Sequence, residues 1–134
     1  MNKTSFNLKN LLIILLGIFL FVSCQPSETD GSGQVVHLVL FWLKNPGSES
    51  DRKQLMEGLN TLREIKEVKK LIVGIPASTL ERDVVDSSFD VSELMIFESI
   101  EAQDAYQVHP LHQEFIDSYS HLWDKVVVYD VLAK

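Results

Sequence analysis

Apolar positions recur with two different periods along this chain, and the switches between them mark the elements. Gln34–Lys44, "QVVHLVLFWLK", is β-branched and aromatic and closes at the turn cluster "NPGS", which predicts a strand. Ser48 or Ser50 then supplies a cap for a helix running to about Lys66, with Leu55, Leu59, Leu62 and Ile65 on one stripe. Gly58 within that helix costs about 1 kcal/mol relative to alanine, so the helix depends on packing. "VKKLIVGIP" (Val68–Pro76) reads as a second strand, and "ASTLERDVVDSS" as a polar loop long enough to form a rim or lid. "FDVSELMIFES" (Phe89–Ser99) alternates as a third strand. Ser99 caps a short helix to about Val108, and Pro110 starts another that reaches about Asp124, with Phe115, Tyr119 and Leu122 inward. "KVVVYDVL" (Lys125–Leu132) closes the chain as a fourth strand. The order is β-α-β-β-α-β with its second helix broken at Pro110, an α+β arrangement of the ferredoxin-like kind with a four-stranded antiparallel sheet.

The first predicted strand is apolar on both sides. Alternation sets Val35, His37, Val39, Phe41 and Leu43 on one face and Val36, Leu38, Leu40 and Trp42 on the other. The last strand likewise shows little polarity on either face. Helices on one side of a four-stranded sheet leave the second side wet, and a patch of that size is more than monomers usually expose. The expected cover is a second copy across a two-fold axis, so the domain is expected to be a homodimer.

The N-terminus follows different rules. Lys3 and Lys9 precede an unbroken uncharged run, Leu11–Val22, that is shorter than the ~20 residues needed to span a bilayer. It has the length of a signal-peptide core. Small Ser23 and then Cys24, the chain's one cysteine, follow it. This pattern fits the lipobox of bacterial lipoproteins, with phenylalanine three residues before the cysteine where leucine is usual. The reading is therefore a lipoprotein signal peptide over residues 1–23, a lipidated Cys24 with a flexible tether to residue 33, and one domain over 34–134. "QPSETDGSGQ" is too polar to bury anything. Because Gln25 rather than aspartate follows the cysteine, the expected location is the bacterial outer membrane, with the lipid anchor as the sole membrane attachment.

After Cys24, 110 residues carry 10 basic and 19 acidic side chains, since Lys3 and Lys9 lie before it, and the net charge is near −9. That balance excludes nucleic acid as a partner, because nothing neutralises phosphates. It also excludes a polybasic grip on anionic lipid. No cysteine remains for a disulfide, so stability must come from an ordinary core.

Two of the chain's four histidines fall in "AYQVHPLHQEF" (Ala105–Phe115). Tyr106 stands at the end of one helix, His109 a turn further on, and His112 in the opening turn of the next. If His37 lies on the face under the helices, then His37, Tyr106 and His112 line one cavity, with Phe41 on the same strand face. Such a set offers a base near neutral pH, a phenol that can donate to an oxyanion, and a second imidazole to orient either. Equally, a histidine at a helix start often only binds backbone, and a helix-end tyrosine is often core. Spacing does not separate the two readings. His109 and His112 are three apart across a proline, which is not the zincin pattern. No metal and no cofactor are expected. His121, near the last helix's end, is explained by the helix dipole.

"VVHLVLFWLK", "FESIEAQDAYQVHPLHQEF" and "KVVVYD" together resemble the stress-responsive A/B barrel (Dabb) family from about Gln34 to Leu132, and the Tyr-x-x-His-Pro-x-His core is the specific part. The resemblance implies a ferredoxin-like protomer and a dimeric α+β barrel. It also implies chemistry, since a plant member of the family closes a linear polyketide by an aldol-type condensation. In that enzyme the histidine matching His112 acts as base, and the tyrosine matching Tyr106 anchors or polarises a carbonyl. Its strand-one histidine matches His37 and its other motif histidine matches His109. Its third-strand histidine is Val91 here, which removes one polar contact. Three functions follow as expectations. The first is a cyclase- or lyase-type enzyme abstracting a proton next to a carbonyl, with His112, Tyr106 and His37 catalytic and Phe41 and His109 binding. The second is a non-catalytic module for a small apolar or carbonyl-containing ligand or for stress protection, and the third an oxygenase-like α+β barrel.

Overall fold

The computed structural model describes residues 32–134. The leader, Cys24 and all but the last two residues of the expected tether lie outside the described residues. Gly33 is already tied to the domain: its N–H donates to the Ala133 carbonyl at 3.0 Å.

Four strands, β1 (Val35–Leu43), β2 (Lys70–Gly74), β3 (Val91–Phe97) and β4 (Trp123–Leu132), form one antiparallel sheet in the order β2-β3-β1-β4. Three helices, α1 (Glu49–Thr61), α2 (Ile100–Gln107) and α3 (Pro110–Tyr119), lie between them in the chain. This is the ferredoxin-like α+β fold that the periodicity predicts. β1 alternates strictly, with Val35, His37, Val39, Phe41 and Leu43 buried and the residues between them only half-buried. β3 does the same, burying Val91, Glu93, Met95 and Phe97. Against these faces pack Leu55, Leu59, Leu62 and Ile65, all buried.

Two helices end earlier than their apolar stripes suggest. α1 stops at Thr61 and tightens into a 3-10 turn at Leu62–Glu64, after which Ile65 is extended. Residues three apart eclipse one another in such a turn, so Leu62 and Ile65 stay in line with the stripe. α3 stops at Tyr119, and Trp123 begins β4 where the sequence places helix to Asp124. The sheet decides this boundary: Trp123 pairs with Leu43, and the Lys44 N–H donates to the Leu122 carbonyl at 2.9 Å.

Gly58 also has a packing role. A Cβ built there would lie 2.7 Å from Tyr119 Cε2, so the missing side chain is what lets α3 approach α1. Alanine would gain up to about 1 kcal/mol of helix propensity but would overpack the contact at a cost of about 1–3 kcal/mol. Gly58→Ala should therefore lower unfolding stability by about 1 kcal/mol in a urea titration. A variant more stable than wild type would mean that Tyr119 swings aside freely.

The loop between β2 and β3, whose length suggests a rim or lid, is anchored at its end to the sheet. Trp42 Nε1 donates to Ser88 Oγ at 3.1 Å, and the Leu43 N–H donates to the Asp90 carboxylate at 2.8 Å, tying the loop's end to β1. None of its residues lines the cavity described next.

Candidate functional site

A cavity of about 470 Å3 opens between the helices and the helix-facing side of β1, β3 and β4. That is within the usual range for small-molecule sites. His37, Tyr106, His112 and Phe41 all line it. His109 does not. As the N-cap of α3, His109 accepts the Leu111 N–H on its Nδ1 at 3.2 Å, with Pro110 in the first turn where a missing N–H costs nothing. Its place in the structure is a helix corner. Val91, buried on β3 across from Phe41, is likewise not part of the lining.

Each polar wall residue is fixed by its element. Tyr106 is the buried residue of α2, its ring 5.1 Å from Phe97 and 6.1 Å from His37. His112 stands in the first turn of α3, its ring centroid 4.5 Å from that of Tyr106. Its Nδ1 lies 3.1 Å from the Gln107 carbonyl, which only accepts, so Nδ1 carries the proton and the neutral ring keeps its lone pair on Nε2. Burial holds the His112 pKa below the ordinary imidazole value; the Gln107 hydrogen bond opposes this, and the neighbouring imidazoles of His37 and His109 add to it. The ring is therefore uncharged at neutral pH and available as a base. Burial, and then the Glu93 carboxylate, push the Tyr106 phenol well above its usual range, so it remains an O–H donor.

Two acidic residues of the lining, Asp130 and Glu93, are not among the site residues expected from the sequence. Asp130 stands directly across from His37 in the β1–β4 register, and its Oδ1 is 2.6 Å from His37 Nδ1. Such a carboxylate orients an imidazole and fixes its tautomer. Glu93, on β3 between Val39 and Val73, is 2% exposed, and its Oε1 is buried with no hydrogen-bond partner. The signal for Glu93 is its parity: it shares the strand face of Val91, Met95 and Phe97. Asp130 has only a weaker signal, an acid interrupting an apolar run. Gln103 and Gln107 complete the polar lining, and the remaining walls are apolar and aromatic, with Phe41 and Trp123 in edge contact at 5.2 Å and Phe115 stacked near Trp123 at 5.9 Å. Among the described residues no group of three or more His, Cys, Asp or Glu side chains is set to hold a metal ion.

Burial raises the Glu93 pKa from 4.5 to about 8, and this has a consequence for stability. The folded state holds a proton that the unfolded chain releases above about pH 4.5. The stabilisation is full below that pH, falls as pH rises, and is gone once the folded pKa near 8 is passed. At about 1.4 kcal/mol per pH unit, the loss between pH 5 and pH 7 is about 3 kcal/mol. Urea titrations should show this slope in wild type and its absence in Glu93→Gln. Parallel pH profiles would contradict a buried, protonated Glu93.

The family model described as the Stress responsive A/B Barrel Domain matches residues 35–133. No curated protein matches the chain. Among solved structures, a Dabb family protein with a ferredoxin-like fold from Mesorhizobium loti is 21% identical, with a TM-score of 0.62 over 77% of this chain and 99% of that one. A hydroxynitrile lyase from Passiflora edulis is 22% identical, with a TM-score of 0.64 over 75% of this chain and 94% of that one. At these identities the likeness is one of fold. A dimeric ferredoxin-like protein of unknown function from Jannaschia sp. CCS1 is 25% identical, with a TM-score of 0.57 over 75% of this chain and all of that one.

Proposed function

The chain belongs to the stress-responsive A/B barrel domain family, and from that premise we propose that it is a small-molecule enzyme that abstracts a proton from carbon next to a carbonyl, in a cyclase- or lyase-type step. The observation that carries this reading is the approach of the Tyr106 and His112 rings to 4.5 Å in the wall of one ligand-sized cavity. His112 Nε2 takes the proton, while the Gln107 carbonyl holds the Nδ1 proton and so keeps that lone pair directed away from the backbone. As negative charge develops on the carbonyl oxygen, the Tyr106 hydroxyl donates to it. His37, oriented by Asp130, positions the substrate or the phenol. The same fold carries lyase chemistry in the Passiflora edulis protein.

The test is hydrogen–deuterium exchange at the methyl group of acetophenones in D2O, followed by proton NMR. The enzyme reading expects wild type to accelerate exchange and His112→Ala to remove the acceleration. Binding without exchange would instead favour a non-catalytic ligand-binding module.

We infer further that two chains associate through the sheet face turned away from the helices. Ile72, Tyr129 and Val131 on that face are 48%, 54% and 54% exposed, and Leu38, Leu40 and Ile96 beside them are half-buried. The Jannaschia protein of the same fold is dimeric. A second copy would remove this apolar surface from water.

The domain's place in the cell rests on residues 1–33. We infer cleavage before Cys24 and acylation of its new N-terminus, presenting the domain at the outer membrane. No helix among the described residues is long and apolar enough to cross a membrane. Cys24→Ala should move the protein from the membrane fraction to an unprocessed or soluble form. A wild-type mature chain that starts elsewhere and stays soluble would contradict the anchor.

A further inference from the structure

Among the ionisable residues of the cavity wall, Glu93 alone is given no role by the proton-transfer reading. It sits among apolar neighbours, with Val39 beside it on β1 and Val73 on β2, and its Oε1 is buried without a donor. A buried polar group left unpaired costs about 1–3 kcal/mol, so this oxygen calls for a hydrogen-bond donor from whatever fills the cavity. Neither lysine nor arginine lines the space, and its other acidic residue, Asp130, is engaged with His37. Phe41, Phe115 and Trp123 offer the rest of a ligand an aromatic surface.

We propose that Glu93 is the specificity-determining residue of this cavity: it seats a hydroxyl group of an uncharged, otherwise apolar carbonyl compound and excludes carboxylates. The carbonyl half of that description rests on the proton-transfer reading; the hydroxyl half does not. A neutral Glu93 carboxyl both accepts from a hydroxyl, at Oε1, and donates back through its own O–H. A ligand carboxylate would instead lie beside two acidic side chains with neither lysine nor arginine to pair it, which is expensive. An ammonium group would have to ionise Glu93 and pay for burying both charges, so an alcohol fits better than an amine.

The test measures affinities of four acetophenones for the purified full chain at pH 6.5, by titration calorimetry. The para substituent is hydroxymethyl, methoxymethyl, aminomethyl or carboxylate. Wild type should bind the hydroxymethyl compound about 10-fold more tightly than each of the others, the worth of one net hydrogen bond. Glu93→Leu should reduce its advantage over the methoxymethyl compound to about 2-fold or less. Glu93→Gln, whose amide carbonyl still accepts, should keep most of that advantage and guards against a folding artefact in the leucine variant. His112→Ala should keep the advantage too, because seating the hydroxyl does not use the base. Loss of exchange in that variant therefore bears on the catalytic reading alone. The proposal is overturned by tightest binding of the amine or the carboxylate, by an advantage that survives Glu93→Leu, or by failure of all four compounds to bind at millimolar concentration.

Discussion

Lysine in place of Leu40 should abolish the dimer. Leu40 lies near the middle of β1, between Ser92 on β3 and Val127 on β4, and its side chain is on the sheet face that no helix covers. Across a two-fold axis the substitution enters the interface twice. Each unpaired ammonium taken into an apolar contact costs several kcal/mol unless it reaches water. Even about 4 kcal/mol in total weakens association roughly 10³-fold. Sedimentation at micromolar concentration should show wild type as a dimer and Leu40→Lys as a monomer or unfolded chain. Gln54→Lys, an added charge on the exposed side of α1, should remain dimeric. A well-folded wild-type monomer would remove the basis for a paired barrel.

The second large effect belongs to the cavity. His112→Ala and Tyr106→Phe should each slow catalysed exchange by about 10²-fold or more, the usual worth of a general base or of an oxyanion donor. The two should differ in origin. His112→Ala removes the group that takes the proton and leaves affinity for the ketone nearly unchanged. Tyr106→Phe keeps the ring that packs against Phe97 and deletes only the hydroxyl, so stability should hold while rate falls. Combining them should cost less than the product of the single losses, because both act on the same developing charge. If either variant retained full rate, the pair would be core and cap residues and nothing more.

Much of this architecture is legible in the sequence because one physical signal dominates it. Val35–Leu43 alternates and is buried in alternation, and the stripe Leu55, Leu59, Leu62, Ile65 is buried as a unit. The helix ends were less legible, since contacts distant in sequence fix them. Nothing local to "SHLWDK" says that Lys44 will draw the Leu122 carbonyl into the sheet. Gly58 reads as a weak point in a helix, yet the ring of Tyr119, sixty-one residues on by number, is what requires it. For the site, scarcity made His37, Tyr106 and His112 visible, and the Tyr-x-x-His-Pro-x-His core gave them a pattern. Asp130 could not be assigned to His37 from 93 residues away until the register of β4 was known. Glu93 was visible as an acid on an apolar strand face, but whether it was salt-bridged or orphaned depended on the side chains packed above it. The motif histidine at the helix corner, His109, differs from His112 in position rather than in type: one caps α3, and the other stands a turn further in, over the cavity.

The measurement that bears most directly on proton abstraction by His112 is the pH profile of acetophenone exchange, from pH 4 to pH 9, in wild type and His112→Ala. Because burial holds the His112 pKa below the ordinary 6.5, the wild-type rate over background should rise with pH, pass its midpoint below 6.5, and stay level through neutrality. The His112→Ala rate should lack that inflection and lie about 10²-fold lower on the plateau. A wild-type profile that superimposes on that of His112→Ala would contradict the account.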